Sequence, residues 1–127
     1  MHKPPPSVGI DVSKAALDVA LTPDAKVRRY HNTPAGRRSL ATALTKAAPA
    51  RIVLEATGGY EHPLLRTLNQ AGLPAVRVNP RQVRDFAKAT GVLAKPDAID
   101  ARVLSRFASA VEPVHRPLPS PEQERLG

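Results

Sequence analysis

The 127-residue chain predicts a single α/β domain: a mixed five-stranded sheet flanked by helices. Three observations predict it. Short β-type runs joined by tight turns open the chain, a helical period takes over at Pro34, and strand-like and helix-like segments then alternate. Residues 1–6 are Pro-rich and read as a disordered leader. Strands are expected at Val8–Val12, Leu17–Leu21 and Val27–Asn32. Ser13-Lys14-Ala15 separates the first two and Thr22-Pro23-Asp24-Ala25 the next two, connections short enough for an antiparallel meander.

From Pro34 to Ala48, Leu40, Ala43, Leu44 and Ala47 recur at helical spacing, with Thr33-Pro34 as cap and first turn. Residues 52–56 read as a buried strand. Residues 60–71 read as a helix carrying Leu64, Leu65 and Leu68, closed by Gly72. Ala75–Asn79 follows as a core-type strand, Pro80–Ala89 as a short basic helix, and 98–111 as a longer helix with Ile99, Val103, Leu104, Phe107 and Val111. The order β-β-β-α-β-α-β-α-α combines a meander with βαβ crossovers. Right-handed crossovers set the strand ending at Glu55 parallel to the strand holding Asp11, and beside it. This order matches the ribonuclease H-like architecture.

Composition narrows the function. Without cysteine, disulfide and zinc-thiolate frameworks are excluded and a reducing, cytoplasmic setting fits. No run approaches the ~20 apolar residues that span a bilayer, so no membrane association is expected. The net charge is +8, from 19 Lys and Arg against 11 Asp and Glu, which favours a polyanionic partner. Lys26, Arg28, Arg29, Arg37, Arg38, Lys46 and Arg51 follow one another with no acid between them, and Arg77, Arg81, Arg84 and Lys88 form a second cluster. Lys14, Arg28, Arg29, Arg37, Arg38, Arg81, Arg84 and Lys88 are the candidate nucleic-acid contacts, set against the alternative of a solvated surface. Only Tyr30, Tyr60, Phe86 and Phe107 are aromatic, too few for a base-stacking platform. The four histidines show no metal-ligand spacing.

Against this basic background, four acids stand out: Asp11, Glu55, Asp97 and Asp100. Asp11 lies within Val8-Gly9-Ile10-Asp11-Val12, and Glu55 ends Ile52-Val53-Leu54-Glu55. A carboxylate in a buried strand is costly unless its charge is compensated, and the carboxyl end of a strand in an open α/β sheet is where ligands sit. Asp97 and Asp100 are three apart at the start of a helix and continue the stripe of Leu104 and Phe107, which aims them toward the sheet. They equally suit an N-cap and its acidic first-turn partner. Two strand carboxylates and a helical pair supply oxygen ligands for one or two Mg²⁺ ions, with Mn²⁺ as an alternative, in phosphoryl chemistry. Gly58-Gly59-Tyr60 is either a phosphate-contacting turn or simply a tight one.

Three ordered stretches carry a resemblance. Gly-Ile-Asp-Val-Ser-Lys (9–14), Leu-Glu-Ala-Thr-Gly-Gly-Tyr (54–60) and Lys-Pro-Asp-Ala-Ile-Asp-Ala (95–101) resemble the DEDD blocks of the insertion-sequence transposases of family one-ten, which include the Piv-like DNA invertases. Val-Asn-Pro-Arg-Gln-Val-Arg-Asp-Phe-Ala (78–87) is similar to a further family stretch. The resemblance implies a RuvC-like domain over 7–112 whose Asp11, Glu55, Asp97 and Asp100 bind magnesium. It also implies DNA recombination guided by a structured bridge RNA, in an oligomer. Pro96 departs from the small polar residue often found there. The resemblance further implies a second domain bearing a serine nucleophile, expected to lie outside these 127 residues, where Ser105 and Ser109 sit mid-helix with no base nearby in sequence.

Residues 113–127 read as a Pro-rich linker, then a Ser120-Pro121-Glu122-Gln123 capping box that announces a helix. The chain is accordingly expected to be an N-terminal piece of a longer protein. Three other readings compete: a stand-alone Holliday-junction-resolvase-type nuclease using water, an ATP-binding domain of the sugar-kinase and actin type, and a non-catalytic remnant that binds nucleic acid.

Overall fold

The computed structural model describes residues 5–55, 58–91 and 99–111. Its elements run β1 (Ser7–Val12), β2 (Ala16–Ala20), β3 (Arg28–His31), α1 (Pro34–Ala47), β4 (Arg51–Glu55), α2 (His62–Gln70), β5 (Ala75–Arg77), α3 (Pro80–Ala89) and α4 (Ala101–Val111). The five strands form one sheet in the order β3-β2-β1-β4-β5. The β1–β2 and β2–β3 pairs are antiparallel, and β1–β4 and β4–β5 are parallel. This is the mixed ribonuclease H-like sheet that the element order predicts, with β1 at its centre.

Strand alternation divides the core in two. Val8, Ile10, Leu17, Val19, Ile52 and Leu54 face α1 and α2, meeting Leu40, Leu44, Leu64 and Leu68. On the other face Val53 meets Val83 and Ala87 of α3 and Val103, Leu104 and Phe107 of α4. Phe86 and Phe107 join the two helices edge to face, with ring centroids 5.5 Å apart.

The helix starts follow local chemistry. Thr33 Oγ1 accepts from the Gly36 amide at 3.0 Å and Pro34 opens α1. Asn79 Oδ1 accepts from the Arg81 amide at 2.8 Å ahead of Pro80. The second helix begins at His62, two residues later than its leucine spacing suggests. Gly58 and Gly59 both adopt φ +83°, a left-handed turn that glycine enters without a Cβ clash and that delays the helix.

Gly9 fixes how closely α4 approaches the sheet. A Cβ there would collide with the backbone of Ala101 and Ser105. With no side chain in the way, α4 lies directly on β1. The buried Ser105 hydroxyl donates to the Ser7 carbonyl, and Arg51 Nη1 donates to the Ala108 carbonyl at 2.9 Å. Contacts run from Ser7 against Ser105 to Gly9 against Ala101, so β1 and α4 lie head to tail, which carries the start of α4 toward Asp11. Gly9→Ala should therefore lose about 1–3 kcal/mol by overpacking, although alanine ordinarily improves a strand. A urea titration comparing the two proteins measures that loss.

Candidate active site

Asp11 and Glu55 end up side by side. The parallel register pairs Asp11 with Glu55 directly, at the carboxyl ends of β1 and β4. Their side chains leave the sheet on the α4 face, because Ile10 and Leu54 occupy the opposite one. Glu55 is only 9% exposed and Asp11 is half-buried. Among the described residues neither carboxylate receives a hydrogen bond or an ion pair.

Their electrostatics follow from that crowding. Burial pushes the Asp11 carboxyl above its ordinary range, and the charges of Asp18 and Asp100 push it further, while Arg29 opposes the rise. Burial likewise raises Glu55, with Asp11 and Glu61 adding to the rise and Arg84 opposing it. Asp100 and Arg84 thus lie close enough to this edge for their charges to be felt there.

Asp100 stands immediately before α4. Its Oδ1 accepts from the Val103 amide at 3.0 Å, so it caps the helix while remaining exposed. Capping and proximity to Asp11 coexist here. Asp97 lies outside the described residues, and among the described residues no three acidic or histidine side chains close into a metal cage.

The candidate cations divide. Arg81, Arg84 and Lys88 recur three and four apart and are exposed on α3, opposite buried Val83 and Ala87. Arg84 is the member whose charge reaches Glu55. Arg28 and Arg29 are neighbours in sequence but diverge in space. Arg29 lies on the carboxylate face, paired to Asp18. Arg28 lines an apolar hollow of about 330 Å³ on the opposite face, with Tyr30 and Leu40. Arg37 is held by the Asn32 side chain at 2.9 Å, and Lys14 and Arg38 are exposed.

Two residues escaped the sequence reading. Asp18 pairs in register with Asp11 across the β1–β2 hairpin, placing a further acid beside it. The signal was present in the short turn: Val12 opposite Leu17 closes the hairpin, and counting back from that pair sets Asp11 opposite Asp18. Glu61 is buried just beyond the Gly58-Gly59 turn and accepts from Arg77 Nη1 at 3.0 Å. Burial alone would raise its carboxyl, but local backbone and Arg77 hydrogen bonds bring it below its ordinary value. Glu61, Arg77, Asn79 and Gln82 line an open polar cleft of about 800 Å³ beyond β4 and β5.

A sheet of this order with acids paired at the end of its central strands defines a ribonuclease H-like domain. The family model of the DEDD transposases of IS110, described as transposase, matches residues 8–126, and the chain belongs to that family. No curated protein matches it. The family's members are transposases, enzymes that act on DNA, and among the described residues no helix is long and apolar enough to cross a membrane.

The raised carboxyls set a pH signature. A group whose folded pKa lies above its unfolded value favours the folded state at low pH, and that contribution is lost as pH rises through the folded pKa. At neutral pH the Asp11 charge therefore opposes folding. Asp11→Asn should melt higher than the parent at pH 7, by about 1 kcal/mol or less at this solvent-screened edge. The difference should vanish below the unfolded carboxylate pKa of ~4, where both proteins are neutral at this position. Thermal denaturation across pH checks it.

Proposed function

We propose that this chain is the metal-binding catalytic domain of a DNA transposase, in which Asp11, Glu55, Asp97 and Asp100 together hold one or two Mg²⁺ ions at a scissile phosphate. The observation that carries the reading is the in-register pair of Asp11 and Glu55, half-buried or buried, mutually repelling and free of any ion pair among the described residues. Hard oxygen donors crowded together without a cation suit a divalent ion. Asp100 adds a third carboxylate within electrostatic reach, and Asp97 precedes it by three residues.

A bound ion would supply positive charge at the phosphoryl and leaving oxygens. The protein's own groups do the rest. Asp11 and Glu55, fixed on rigid strands, would hold such an ion at a defined place on the sheet edge. Arg84, Arg81 and Lys88 offer a stripe of phosphate contacts leading away from Glu55. The attacking hydroxyl belongs to a serine of the second domain that the family resemblance implies. Ser105 is buried and donates its hydroxyl to the Ser7 carbonyl, which leaves it no part in attack. Attack would form a serine Oγ–phosphorus bond as the phosphodiester P–O bond breaks, the serine's proton leaving Oγ and a proton reaching the departing strand oxygen, which ends as a hydroxyl. The resemblance further supports a structured guide RNA and a homo-oligomeric assembly.

Calorimetric titration with Mg²⁺ and Mn²⁺ tests the site, using the parent, Asp11→Ala, Glu55→Gln and Asp97→Ala. The parent is expected to bind, and each substitution to weaken binding at least tenfold. Binding that survives all three substitutions places the ion elsewhere and overturns the assignment. Mg²⁺-dependent nicking of a branched DNA by this chain alone would instead favour the water-using resolvase reading.

A further inference from the structure

Four charged residues cross the sheet in one row: Arg29 on β3, Asp18 on β2, Asp11 on β1 and Glu55 on β4. Each is the register partner of the next. Register partners project from the same face, so all four belong to the carboxylate edge. At the ~4.8 Å spacing of neighbouring strands, Arg29 starts about 10 Å from Asp11. Measured along a duplex axis, at ~3.4 Å per nucleotide of one strand, that is about three nucleotides.

The pair at the end of the row is poorly explained by stability alone. Arg29 Nε and Nη2 donate to the two Asp18 carboxylate oxygens at 2.8 and 3.1 Å, a two-pronged pairing. The Arg29 side chain is 71% exposed, and an ion pair that exposed contributes little to stability. Asp18 meanwhile stands beside Asp11, where like charges repel. What the pairing does achieve is orientation. Two bonds to one carboxylate fix the direction of the guanidinium. Of the five guanidinium N–H groups, only those pointing at Asp18 are used among the described residues. The remaining donors face solvent beside the row of acids.

We propose that Arg29 binds a backbone phosphate of the strand lying across the Asp11 and Glu55 edge, and that Asp18 is the residue that positions it. This rests on the reading of that edge as the site of DNA cleavage, and goes beyond it by naming a phosphate clamp and its holder outside the four acids. Arg28 cannot substitute, because it lies on the opposite face of the sheet.

The sign of one substitution separates positioning from bulk charge. Removing an acid near a polyanion ordinarily tightens binding, so Asp18→Asn should bind DNA more tightly if it acts by charge alone. If Asp18 orients Arg29, the same substitution weakens binding. The probe is a fluorescein-labelled double-stranded DNA oligonucleotide, followed by anisotropy in Ca²⁺ over a salt series, with the full chain. Arg29→Ala should reduce the slope of log affinity against log salt by about 0.9, the value of one phosphate contact. Asp18→Asn should weaken binding severalfold, and Arg29→Lys should keep the slope with reduced affinity. Thermal melts confirm that each variant is folded, and Mn²⁺ calorimetry should show metal binding retained in Arg29→Ala. An unchanged slope in Arg29→Ala, or tighter binding by Asp18→Asn, overturns the proposal, as does a parent that binds no DNA. Failure of metal binding in the parent instead counts against the underlying assignment of the edge, so the two failures are distinguishable.

Discussion

The side-by-side pairing of β1 and β4 is the constraint from which the rest of this domain follows. Two carboxylates on adjacent parallel strands cannot avoid one another, and backbone hydrogen bonds hold them there whatever their charge. Folding therefore has to bring in compensation from elsewhere. Arg84 reaches Glu55 from α3, and Arg29 reaches Asp11 from the far side of Asp18. Neither forms a direct pair with those two carboxylates, which stay available to a cation from solution.

Gly9 links this constraint to the helical layer. Because β1 lacks a side chain at that point, α4 approaches to backbone contact, and its first residues land near the carboxyl end of the strand. Ser105 and Arg51 then fasten the helix along the sheet. Asp100 arrives near Asp11 through this docking, while serving its own helix as a cap. One acid thus works in two capacities, local and tertiary, and the geometry of each is compatible with the other.

Much of this was legible in the sequence because carboxylates interrupt apolar runs at Asp11 and Glu55, where a strand interior has no ordinary use for them. Element order was equally readable, since the change of period at Pro34 and the glycine and proline punctuation agree with the observed boundaries within a few residues. What sequence spacing did not convey was lateral position. Asp18 looked like one polar residue in an alternating strand until hairpin register set it beside Asp11. Arg28 and Arg29 looked like one basic patch, yet the pleat sends them to opposite faces. The late start of α2 arises from two consecutive left-handed glycines, whose effect on the backbone outweighs the leucine spacing that follows.

The hairpin between β1 and β2 has a further consequence. Its turn, Ser13-Lys14-Ala15, is tied by hydrogen bonds between Ser13 and Ala16 and by Asn32 to the Ser13 carbonyl. Side chains alternate with a period of two, so inserting or deleting one residue here would invert the whole of β2. Leu17 and Val19 would turn to the carboxylate face, and Asp18 would face the core between α1 and the sheet. The length of this turn therefore has a parity. Three residues just beyond the acidic edge thereby encode which face of the protein is charged.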